Sequence, residues 1–159
     1  MPTLSIESNG MLEKTAVYYN GSQISGIKEL LVNIDEEGLF DCVIQYEGSD
    51  KKLYTKQIFT DTLTNVRTVP ASFSEEEAQL LQLLTIESDG DVESSTLFLN
   101  EEPLDGVVSL YLHIKADKNK DGISSIFKKK QYNLINETFK SEITFRNEDD
   151  SLETEDIFL

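Results

Sequence analysis

Residues 4–34 align without a gap on residues 84–114, at a constant offset of 80. Ten of the 31 paired positions are identical, among them Leu4/Leu84, Glu7/Glu87, Ser8/Ser88, Gly10/Gly90, Asn20/Asn100 and Gly26/Gly106. Most other pairs keep their character, as in Val17-Tyr18-Tyr19 against Leu97-Phe98-Leu99. Agreement over so long an ungapped stretch points to a tandem duplication. A half of about 70 residues would be marginal alone, so the copies are expected to share a core or pack face to face.

The local pattern is that of strands. Leu4-Ser5-Ile6-Glu7 alternates apolar and polar residues, and Asn9-Gly10 follows with turn chemistry. Thr15 to Tyr19 is β-branched and aromatic, and Asn20-Gly21 is a second hairpin signal. Leu30, Val32 and Ile34 share one face, after a glycine, Gly26, placed where a bulge or close backbone approach needs no side chain. Phe40, Cys42, Ile44 and Tyr46 alternate with polar neighbours, which makes the lone cysteine a small core residue. Strands are also expected over 52–59 and 66–69, giving about five per copy. In the second copy they resume at 123–127, 131–135 and 141–145.

Pro70 opens a connector in which Ser74-Glu75-Glu76-Glu77 has the form of a capping box. The spacing predicts a helix over 75–83, with Leu80, Leu81 and Leu84 as its apolar stripe. The fold class is therefore mainly β: two tandem copies of a small antiparallel module, joined by one short helix and related by an approximate two-fold. The boundaries are 1–70 for the first copy, 71–83 for the connector, 84–146 for the second copy and 147–159 for an acidic tail. That tail carries six acids before Ile157-Phe158-Leu159; it is expected to be disordered or loosely docked, and its deletion to leave the melting temperature nearly unchanged.

The net charge is −16, unevenly spread: residues 115–146 hold eight of the 14 basic groups against four acids, leaving −20 elsewhere. Such a field repels nucleic acid and anionic membrane and attracts basic partners. With a single cysteine, no disulfide can form within the chain, and the N-terminus has neither a basic start nor an apolar run. The expected setting is cytoplasmic.

Chemistry-bearing motifs are few. Asp117-x-Asn119-x-Asp121-Gly122 has the spacing of the first half of a calcium loop, but its twelfth position is Lys128 where a bidentate Glu belongs. It reads as a polar hairpin turn, so no metal site is assigned. Glu7-Ser8 and Glu87-Ser88 could form a symmetric metal site or a general acid/base couple, but the plainer role of holding strand-end backbone groups is the expected one. His113, opposite the apolar face of its strand, reads as a surface residue. Lys128, Lys129 and Lys130 could touch phosphates or an acidic partner, or equally neutralise the acidic remainder of the same molecule; direct nucleic-acid binding is not expected. No Gly-rich phosphate loop, metal-binding His/Cys cluster or nucleophile motif occurs in the sequence, so no cofactor is implied and the chain is not expected to be an enzyme. The expected function is a non-catalytic protein-binding or assembly module, with Tyr18, Tyr19 and Phe98 as the central contacts of an aromatic patch. The alternatives are an acidic mimic of nucleic acid that occupies a basic protein's groove, and a small-ligand binder or enzyme with its site between the copies.

Overall fold

The computed structural model describes residues 1–116 and 138–158. The strands are β1 (Thr3–Ser8), β2 (Ala16–Tyr19), β3 (Ser22–Ser25), β4 (Ile27–Asp35), β5 (Phe40–Glu47), β6 (Leu53–Gln57) and β7 (Arg67–Thr68). A short helix, α1 (Glu75–Ala78), leads to β8 (Gln82–Glu87), β9 (Thr96–Leu99), β10 (Glu102–Pro103), β11 (Val107–Lys115), β12 (Thr138–Arg146) and β13 (Leu152–Asp156). They form two antiparallel sheets. One has seven strands, ordered β10-β9-β8-β1-β2-β3-β7; the other has six, ordered β13-β12-β11-β4-β5-β6.

Alternation along the strands builds the core between the sheets. Leu4, Ile6, Leu84 and Ile86 point inward from the seven-stranded sheet, and Leu30, Val32, Ile44, Leu110 and Leu112 from the six-stranded one, all fully buried in one cluster. Burial of this kind stabilises by about 1.5–3 kcal/mol per large aliphatic side chain. Cys42 is in the same cluster, 1% exposed, as its alternation requires. Strands from residues 4–34 and 84–114 meet at the centre of both sheets. In the first sheet β1 pairs with β8, Ser5 opposite Thr85; in the second β4 pairs with β11, Val32 opposite Leu112.

The chain crosses from one sheet to the other at Gly26 and Gly106, with φ of +80° and +72°. Their carbonyls accept the Glu47 and Arg146 N–H groups, both at 2.8 Å. A β-carbon on Gly26 would lie 2.6 Å from the Glu47 carbonyl oxygen, so the close approach expected there is real. Just beyond each glycine the pairing register slips, between Ile27 and Glu29 and between Val107 and Ser109.

Three expectations change. The helix is shorter than 75–83. Ser74 caps it with both bonds of a capping box, but it ends at Ala78, and β8 begins at Gln82. Leu84 is claimed by the core through β8, and Leu80, left outside, is 83% exposed; helical continuation would forfeit the pairing with β1. Residues 1–70 form more than the five strands expected, because Ser22–Ser25 pairs separately from β4, in the other sheet. The tail is not loose. Residues 152–156 pair with β12, and Ile157 and Phe158 are each 4% exposed. Phe158 packs edge-on against Phe139, ring centroids 5.8 Å apart. Two apolar residues entering the core outweigh the acidic character of the strand before them. Segments 123–127 and 131–135, expected as strands, lie outside the described residues.

Candidate functional site

The outer face of the seven-stranded sheet carries a continuous row across four strands: Phe98, Thr85, Ser5 and Tyr18, each opposite the next. Their sequence neighbours fill the core, so the period of two turns these four outward, where all are half-buried. Ser5 and Thr85 join hydroxyls at 2.9 Å in the middle. The two rings flank them, separated by three strand spacings, or about 14 Å. Tyr18 donates to Glu7 at 3.2 Å. Loss of solvent and the adjacent carboxylate hold its phenol above the ordinary value, so it remains a neutral donor. Beyond Tyr18 the row continues to Gln23, which the connector covers: the Gln23 amide donates to Ser72 Oγ at 2.7 Å and accepts the Ser72 N–H at 2.8 Å.

Of the three aromatics singled out from the sequence, Tyr18 and Phe98 thus share one face. Tyr19 does not; opposite Leu4, it packs on the core. The remaining named candidates, Asp117, Asn119, Asp121, Lys128, Lys129 and Lys130, lie outside the described residues.

Ser8 and Ser88 are fully buried and hold turns. Each accepts the N–H of the glycine two residues on, Gly10 or Gly90, at 3.0 Å. Each also bonds a second hydroxyl, Thr15 or Ser95, at 2.7 Å. Glu7 and Glu87 do not converge. Glu87 stands opposite Thr3, four residues before Glu7 on the same strand, a separation of about 13 Å. Among the described residues no group of three or more His, Cys, Asp or Glu side chains is placed to hold a metal ion.

His113 points outward from the six-stranded sheet, as its alternation implies. There it meets a partner that spacing alone did not show: Glu29 Oε2 lies 2.6 Å from its Nε2. The pair joins neighbouring strands β11 and β4, whose residues are 84 apart in sequence.

Clefts between the sheets include a pair at related positions. One, of about 320 Å³, is lined by Leu12, Ala16, Ile24, Ile27, Lys28 and Ile114 among others. The other, of about 330 Å³, is lined by Val92, Thr96, Leu104, Val107, Val108 and Ile34. These are the same positions displaced by 80. Their polar rims differ, Glu13 and Lys28 at the first and Asp35, Glu36 and Asp105 at the second. Each is at the small end of the range for ligand pockets.

Comparison with protein-family models, with curated proteins and with solved structures finds no match.

Proposed function

We propose that the protein is a non-catalytic protein-binding module, built by duplication about an approximate two-fold axis, and that the face around Tyr18 and Phe98 is its binding surface. The observation that carries the functional reading is that row: two aromatic rings, set on inner strands of a sheet, flank a hydroxyl pair. Aromatic anchors of this kind dominate protein interfaces, because they present large area at little entropic cost. Glu7 and Glu87, beside the row, suit a partner with basic side chains at its rim.

The architectural inference rests on repeated detail. Ser5/Thr85 and Val32/Leu112 are 80 apart and directly opposed, so an axis through both pairs interchanges the halves. Asn20 and Asn100 each accept, through the side chain, the N–H of Thr3 or Leu83 at 2.9 Å. After residue 138 the correspondence resumes at an offset of 99. Phe40 matches Phe139, Ile44 matches Ile143, and Ile58-Phe59 matches Ile157-Phe158. The Phe40–Phe59 rings, at 5.7 Å, repeat the Phe139–Phe158 contact. Lys51 and Asp150 take the same left-handed turn position, φ +64° and +67°. On this reading the acidic tail is the end of the second copy.

The test is a photo-crosslinking residue placed at position 18, and separately at Val43 on the outer face of the other sheet. Discrete protein adducts from native lysate at position 18 but not at position 43 support the assignment. Adducts only at position 43 would reject it.

A further inference from the structure

Among the described residues the six-stranded sheet ends in two strands, β6 and β13, that correspond at the offset of 99 and carry opposite charge. Lys51, Lys52 and Lys56 belong to the β6 edge and its turn, with Asp50 the one acid among them; Asp149, Asp150, Glu153, Glu155 and Asp156 belong to the β13 edge and its turn. At matched positions Lys51 becomes Asp150 and Lys56 becomes Glu155. We infer that copies of this chain associate head to tail, the β6 edge of one adding to the β13 edge of the next.

Backbone geometry permits it. The Ile58 N–H bonds the Cys42 carbonyl, and the Ile157 N–H bonds that of Ser141. Antiparallel alternation then turns the backbone groups of Leu53 and Thr55 outward on one edge, and those of Leu152, Thr154 and Asp156 outward on the other. On β6 the next outward residue, Gln57, is closed off: its N–H donates to Asp61 Oδ2 at 2.8 Å, and its carbonyl accepts from the Asp61 N–H at 2.9 Å. Each edge also leaves a leucine uncovered, Leu53 at 62% and Leu152 at 57%.

Strand direction alternates through the six strands, so β6 and β13 run oppositely within one molecule. A copy displaced along the sheet therefore meets β6 with an antiparallel β13, with no rotation required. With the strands fully overlapped, Thr55 opposes Thr154 and Lys56 opposes Glu153. The symmetric alternative, β13 on β13, would set carboxylate against carboxylate, which is destabilising. A heterologous contact of this sort need not close, and it extends into open arrays. One added strand buries less than a standard interface, so the association is weak and concentration-dependent.

The surface is separate from the Tyr18–Phe98 row, and its test does not depend on that assignment. Sedimentation of the full chain at low salt should show mass rising with concentration and falling as salt is added. Reversing one edge, by Lys52→Glu with Lys56→Glu or by Glu153→Lys with Glu155→Lys, should weaken self-association about tenfold or more. Mixing the two variants should restore it, because each then offers the edge the other lacks; misfolded chains could not do so. The Tyr18→Ala variant should associate like wild type. A wild-type chain that stays monomeric at every concentration, or a mixture that behaves as the sum of its two parts, would overturn the proposal.

Discussion

Ser5 Oγ and Thr85 Oγ1 lie 2.9 Å apart on residues that directly oppose each other across β1 and β8. Both residues are half-buried, and each stands opposite an aromatic residue on its other side in the row. Replacing either one leaves the other without its partner, at a cost of about 0.5–1.5 kcal/mol. Urea unfolding of Ser5→Ala, Thr85→Val and the double variant should show the second removal costing less than the first. Strict additivity would mean that the bond contributes nothing in solution.

Phe158 is the second stability test. Its ring is buried against Phe139, so Phe158→Ala leaves a cavity worth about 3 kcal/mol or more, and the melting temperature should fall by about 10 °C. Deleting residues 147–159 should cost at least as much. A melting temperature within about 2 °C of wild type would return the tail to the loosely docked state its composition suggests.

Gly26 and Gly106 separate close approach from turn geometry. Both have positive φ, but a β-carbon on Gly26 meets the Glu47 carbonyl at 2.6 Å, whereas on Gly106 the nearest atom, the Arg146 carbonyl oxygen, is 3.3 Å away. Both alanine variants should destabilise through φ alone, by about 1–2 kcal/mol. Gly26→Ala should be the worse of the two, since backbone must shift to admit it. Equal melting temperatures would contradict this.

Cys42 gives a pH signature. Burial, with the nearby Asp41 charge adding to it, pushes its thiol from the ordinary 9.0 up to about 12. The unfolded chain releases the thiol proton first, so this group contributes nothing to the pH dependence below about 9 and removes stability as pH rises from there to about 12. The difference in unfolding free energy between wild type and Cys42→Val, followed against pH, should be flat at neutral pH and should shift against wild type in that alkaline window. In the native state a thiol reagent should react only as fast as the chain opens.

The inward residues were legible because they obey a strict period of two: Leu4, Ile6, Leu30, Val32, Cys42 and Ile44 are all buried as the alternation requires. The identities at an offset of 80 are legible as far as Ile114. Beyond it, Ile58-Phe59 and Ile157-Phe158 stand 99 apart, and the edge strands before them differ in charge, so composition hides the likeness. The helix was overextended because Leu84 fits a helical stripe and a strand equally well, and only the pairing with β1 decides between them. Sequence named Tyr18 and Phe98 but could not show that Ser5 and Thr85 stand between them, since that needs the register of three strand pairs. The Glu29 partner of His113 was hidden for the same reason.

The binding role is tested most directly by titrating a captured partner against two variants whose fold has been checked by circular dichroism. One is Tyr18→Ala with Phe98→Ala; the other reverses Glu37, Glu101 and Glu102 to Lys and spares Glu36, which pairs with Arg146. The aromatic pair should cost about 30-fold or more in affinity, while the exposed charge reversals should change mainly the association rate. If the reversals abolish binding and the aromatic variant binds like wild type, the Tyr18–Phe98 face is not the binding surface and the protein acts through its acidity.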